Sequence, residues 1–167
     1  MKKIIIAIIS LIVIVLLVDL FVYKNKNIYK EKEIELENSI GTNVYEVISV
    51  NKAIKVIDEE SGILLLTDDD NIEYAKTLND LARDLNVDKI YYVDLTSNTD
   101  DSKLISVLEN NVEINNEKYI IVPVIVTVNE GTLTNIHHLY DYSGYKLDKK
   151  IISILSNYKN NKDIKEK

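Results

Sequence analysis

Ile63-Leu64-Leu65-Leu66-Thr67 is an unbroken apolar run, closed by Ser61-Gly62 on one side and Asp68-Asp69-Asp70-Asn71 on the other. A strand with one wet face would alternate apolar and polar residues. A short continuous run bounded by turn residues instead fits a strand buried on both faces, the place of a central strand in a parallel sheet. Directly after the turn, Ile72, Ala75, Leu78, Leu81, Ala82 and Leu85 fall on one face of a helix. A chain that begins its core this way is an α/β protein with helices over both faces of the sheet.

The flanking segments extend the pattern. Val44 to Val50 reads as a short strand, and Ala53, Ile54 and Ile57 have helical spacing. Lys89 to Leu95 reads as the next strand, and Leu104, Ile105 and Leu108 mark a helix. Tyr119 to Val128 is strand-like, Asn129-Glu130-Gly131 makes a turn, and Thr132 to Tyr140 returns as its hairpin partner. Leu147, Ile151, Ile152 and Leu155 lie along a closing helix. The order β-α-β-α-β-α-β-β-α predicts a mixed sheet, parallel at first and antiparallel in the late hairpin.

This order resembles the thioredoxin fold over about Val44 to Tyr158, and within it the small bacterial thioredoxin-like proteins, including those associated with bacteriocin production. The resemblance rests on the strand, turn and long helix of Ile63 to Leu85, on Val122-Pro123 where the family has its cis-proline, and on a Val128-to-Leu133 hairpin turn. It implies a three-layer α/β/α sandwich. The family's two cysteines would fall near Asp68 and Asn71, and its buried acid near Gly62. All three are missing. The chain contains no cysteine, so thiol-disulfide exchange, which needs a thiolate nucleophile, is excluded. Pro123 is also the one proline of the chain. Inside a central strand it would delete a ladder hydrogen bond, so it belongs at a turn or a strand start.

Three readings of the acidic turn follow. In the first, Asp70 and Glu73 form a capping box on the helix, while Asp68 and Asp69 are solvated. In the second, Asp68, Asp69, Asp70 and Asn71 form a docking surface with Val122 and Pro123, where an extended segment binds without covalent chemistry. In the third, the carboxylates hold a hard cation such as Ca²⁺ or Mg²⁺. Adjacent carboxylates converge poorly, so no metal site is expected. His137 and His138 are neighbours in a strand, point to opposite faces and make no chelating pair. No Gly-rich phosphate loop or hydrolase elbow is present, and no cofactor is expected. The chain is therefore expected not to be an enzyme.

Residues Ile4 to Val18 contain nothing more polar than Ser10. Extended to Tyr23, the run makes about 30 Å of helix, the thickness of a bilayer core. No small-residue cleavage site follows, so it reads as an uncleaved signal anchor rather than a signal peptide. The expected organisation is a tail at 1–3, a transmembrane anchor at 4–23, a charged stalk at 24–42, the thioredoxin-like domain at 43–158 and a basic tail at 159–167. Residues 43–145 carry 7 Lys and Arg against 19 Asp and Glu. That acidity repels polyanions, so nucleic acid is not an expected partner.

Taken together, the sequence predicts a single-pass cell-membrane protein with its domain outside the cytoplasm. The lipid bilayer would be one partner, and an extended peptide or envelope protein another. The expected role is a redox-inactive binding or scaffolding module at the bacterial envelope. The alternatives are an accessory to peptide or bacteriocin export or maturation, and a non-thiol enzyme using Asp68 to Asp70.

Overall fold

A computed structural model describes residues 2–96, 101–111 and 120–165. Helix α1 (Lys2–Ile40) is followed by β1 (Tyr45–Val47), α2 (Val50–Glu59), β2 (Gly62–Thr67) and a 3-10 turn (Asp69–Asn71). Then come α3 (Ile72–Asp84), β3 (Ile90–Asp94), α4 (Asp101–Asn111), β4 (Val124–Asn129), β5 (Thr132–His138) and α5 (Gly144–Lys165). The predicted Tyr119–Val128 strand begins only at Val124, because Pro123 cannot donate to the ladder; Tyr119 lies outside the described residues. The Val122–Pro123 peptide is cis.

The five strands form one mixed sheet in the order β1-β3-β2-β4-β5. β3 runs parallel to both β1 and β2, β4 runs antiparallel to β2, and β5 antiparallel to β4. β2 is central and wholly buried. Its unbroken hydrophobicity follows from that position, because its alternating side chains feed two different cores. Ile63 and Leu65 pack with Leu36 of α1, Ala75 and Leu78 of α3, and Ile151 and Leu155 of α5. Leu64 and Leu66 pack on the other face with Ala53, Val56 and Ile57 of α2 and Leu104 and Leu108 of α4. At roughly 1.5–3 kcal/mol for each fully buried aliphatic side chain, those four residues contribute to both layers at once.

Gly62 lets the layers close: a Cβ there would meet the Tyr91 ring at 2.8 Å. At the far hairpin, Glu130 (φ 50°) and Gly131 (φ 67°) form a two-residue turn with both φ positive, matching the twist of the strands it joins. Gly131 also lies against the backbone of Asp58, where a Cβ would overlap the carbonyl oxygen. The turn is stapled to the α2–β2 junction by Gly131 N donating to Glu60 O (2.8 Å) and Glu130 N donating to Ser61 Oγ (2.8 Å).

The N-terminal expectation is corrected. Among the described residues no helix is long and apolar enough to cross a membrane. That finding overturns the transmembrane anchor at 4–23. The signal anchor, the single-pass topology, the lipid bilayer and envelope protein as partners, the cell-membrane location with an extracytoplasmic domain, and the role of an envelope-anchored module go with it.

The stretch read as a charged stalk, 24–42, continues the same helix. Its Leu36 is 1% exposed, and Tyr29 and Ile40 pack on the same core. The helix stops where Gly41 (φ 75°) donates its N–H to Glu37 O at 2.8 Å, a C-terminal glycine cap.

Candidate functional site

The acidic turn leaves the C-terminal end of the central strand, where a parallel α/β sheet usually places its site. The turn is tied to the end of β3. Leu95 N donates to Thr67 O (2.9 Å), Asp69 N to Thr96 Oγ1 (3.0 Å), and Thr96 N to Asp94 Oδ1 (2.8 Å). Asn71 donates from its side chain to the Asp68 carboxylate, and its N–H donates to Asp68 O at 3.2 Å.

The capping-box reading is not what the chain does. Asp70 sits inside the 3-10 turn and is exposed. Asn71 holds the N-cap position of α3 and makes no side-chain cap bond. The extra turn of 3-10 helix moves the helix start one residue past the predicted cap.

Lys32 of α1 reaches the turn from 37 residues away and hydrogen-bonds Asp69. The same ammonium lies 3.4 Å from Asp94 Oδ2 and 3.2 Å from Glu35. Its side chain is 12% exposed, and that of Asp94 17%. Burial alone would lower the Lys32 pKa. The hydrogen bond to Asp69, with the charges of Asp94 and Glu35, outweighs burial and holds it well above the usual lysine value. A lysine so held stays protonated near neutrality and is neither base nor nucleophile. Beneath it, burial pushes the Tyr92 hydroxyl well above its ordinary pKa. Neither group is tuned for proton transfer at neutral pH.

The position a cation would take beside Asp69 is thus held by the protein's own ammonium. Asp68 is engaged with Asn71, and no cluster of three His, Cys, Asp or Glu able to hold a metal occurs among the described residues.

Val122 and Pro123 come to the same end of the sheet. Val124 pairs with Leu66, so Pro123 enters β4 beside the strand end from which Thr67 and Asp68 leave. Pro123 is buried, and its carbonyl accepts from Leu139 N at 3.0 Å. His138 Nδ1 lies 3.0 Å from Ile121 O, while His137 takes the opposite face of β5, as alternation requires.

Sequence reasoning missed Lys32, Asp94 and Thr96. No local signal marks them, because each is one polar residue in an ordinary charged or loop segment, brought to the turn only by folding. Compared with known proteins, the sequence matches no family model and no curated protein.

Proposed function

We propose that this chain is a thioredoxin-like domain without thiol chemistry. The turn that carries the family's cysteines serves here as a clamp for the N-terminal helix, and the protein acts as a non-enzymatic unit that holds that helix in a fixed orientation. The strand order β1-β3-β2-β4-β5 and the placement of Pro123 beside the C-terminal end of β2 support the thioredoxin-like part. The observation that carries the functional part is the Lys32 ammonium seated between Asp69 and Asp94. It fills the turn from within and fastens a helix of 39 residues, about 58 Å long, whose other end exposes the aliphatic side chains of Leu11 to Val18, Leu20 and Val22.

The absence of cysteine makes the test clean. Spin labels on cysteines introduced at Tyr23 and Ser153, both exposed, report the helix-to-body distance by pulsed electron resonance. A single narrow distribution that broadens in the Lys32→Met protein is the expected result. A broad distribution in the otherwise natural chain would overturn the reading.

A further inference from the structure

The opposite end of the sheet holds a cavity of about 300 Å³ between the β4–β5 hairpin and α5. It is remote from the acidic turn: Gly62, which begins β2, pairs there with Val128. We propose that this cavity binds a small, uncharged, polyhydroxylated molecule of monosaccharide size.

The lining chemistry carries the proposal. On α5 the residues at helical spacing run Leu147, Ile151, Ile154 and Leu155, all buried in the core. The same helix then turns polar where it faces the hairpin, with Asn157 and Asn161 one turn apart on the cavity wall. Asn129 and Asn135 face them from β4 and β5. Thr127 and Thr134 on the cavity floor already satisfy each other, hydroxyl to hydroxyl at 2.8 Å. The four amides remain available to a guest.

Each amide both donates and accepts, and so does each hydroxyl of a sugar. A carboxylate or phosphate offers acceptors alone and would leave the amide oxygens without donors. No lysine or arginine lines the cavity among the described residues, and the one charged lining residue, Glu130, is acidic. Both facts disfavour an anion. His137 on the wall is kept neutral at ordinary pH, chiefly by burial, so it too offers one donor and one acceptor. The Tyr158 ring adds an apolar plate for the C–H face of a pyranose. The size falls in the range of small-molecule sites. The hairpin turn that forms the rim is pinned to Ser61 and Glu60, so the walls are set before a ligand arrives.

The test is a titration of the isotope-labelled full chain, read by amide chemical shifts. The neutral probes are methyl glucoside, N-acetylglucosamine and inositol, with gluconate and glucosamine as charged comparators. Saturable shifts confined to the hairpin and the Ile154–Asn161 turns, for at least one neutral probe, are expected. Asn157→Leu and Asn161→Leu each replace an exposed residue, so the fold should survive both, and each should weaken that binding about ten-fold. A free sugar and the end of a glycan share this chemistry. Equal affinity for the bound monosaccharide and its trisaccharide supports the first source, and tighter trisaccharide binding the second. Three results would overturn the proposal: no saturable shift with any neutral probe, equal or tighter binding of a charged comparator, or binding indifferent to both substitutions. The outcome is independent of the helix clamp, which involves none of these residues.

Discussion

Replacing Lys32 by Met keeps most of the side chain's apolar stem and removes its charge. What remains is the Asp94 carboxylate, 17% exposed, and that of Asp69, 52% exposed, both stripped of the Lys32 charge. Breaking a fully buried ion pair costs about 3–5 kcal/mol, and breaking an exposed one about 0–1 kcal/mol. Asp94 lies near the first limit and Asp69 midway, so a loss of about 2 kcal/mol is expected. With a urea slope of about 2 kcal/mol/M for a domain this size, the unfolding midpoint should fall by roughly 1 M. A double-mutant cycle with Asp69→Asn separates charge pairing from side-chain packing, and about 1 kcal/mol of coupling is expected. Salt should weaken the Asp69 share more than the Asp94 share, because screening acts mainly on exposed charge. Hydrogen exchange localises the effect: amides from Tyr29 to Ile40 should lose protection first. A single substitution costing under about 0.5 kcal/mol, with no coupling in the cycle, would refute the clamp. Leu36 and Tyr29 would then be holding α1 by packing alone.

Gly131→Ala should destabilise by about 2–4 kcal/mol, since it combines a left-handed backbone with overlap against Asp58 O; calorimetry of the variant checks this. Asp70→Ala should change stability by less than about 0.5 kcal/mol, because Asp70 is exposed and caps nothing. Asp68→Ala should cost about 0.5–1.5 kcal/mol for the lost bond to Asn71, and a midpoint comparison of the two discriminates the roles. Burial, with the nearby charges of Lys150 and His138, pushes His137 from 6.5 down to about 4. Between those values the unfolded chain binds a proton that the folded chain refuses, so stability is full above 6.5 and is lost as pH falls towards 4. Allowing for partial exposure, His137→Gln should remove about 1–2 kcal/mol of the acid sensitivity seen in urea melts at pH 7 and 4.5.

The order and type of the elements followed from residue pattern alone. β2 was legible because a strand buried on both faces keeps successive positions apolar, here Ile63 to Leu66, and α3 because its apolar residues recur at the helical period. A hairpin turn was legible in Asn129-Glu130-Gly131, and the structure narrows it to Glu130-Gly131, because Asn129 still pairs with Thr132. That the residues of this sequence carry no thiol chemistry needed only a count of cysteines. The start of α3 was misjudged by a residue, because a 3-10 turn and a capping box have the same local composition. The N-terminal segment was misjudged more seriously: hydropathy read it as a transmembrane anchor, and no helix among the described residues is long and apolar enough to cross a membrane.

Apolar periodicity decides which segments become strands and helices, because burial of alternate or every-third-or-fourth residues is a local property of the chain. Which charges meet is not local. Lys32 joins Asp69 and Asp94, and asparagines on β4, β5 and α5 line one cavity, only because the layers stack as they do. Single polar residues carry no period, so their partners are set by tertiary packing and not by spacing in the sequence.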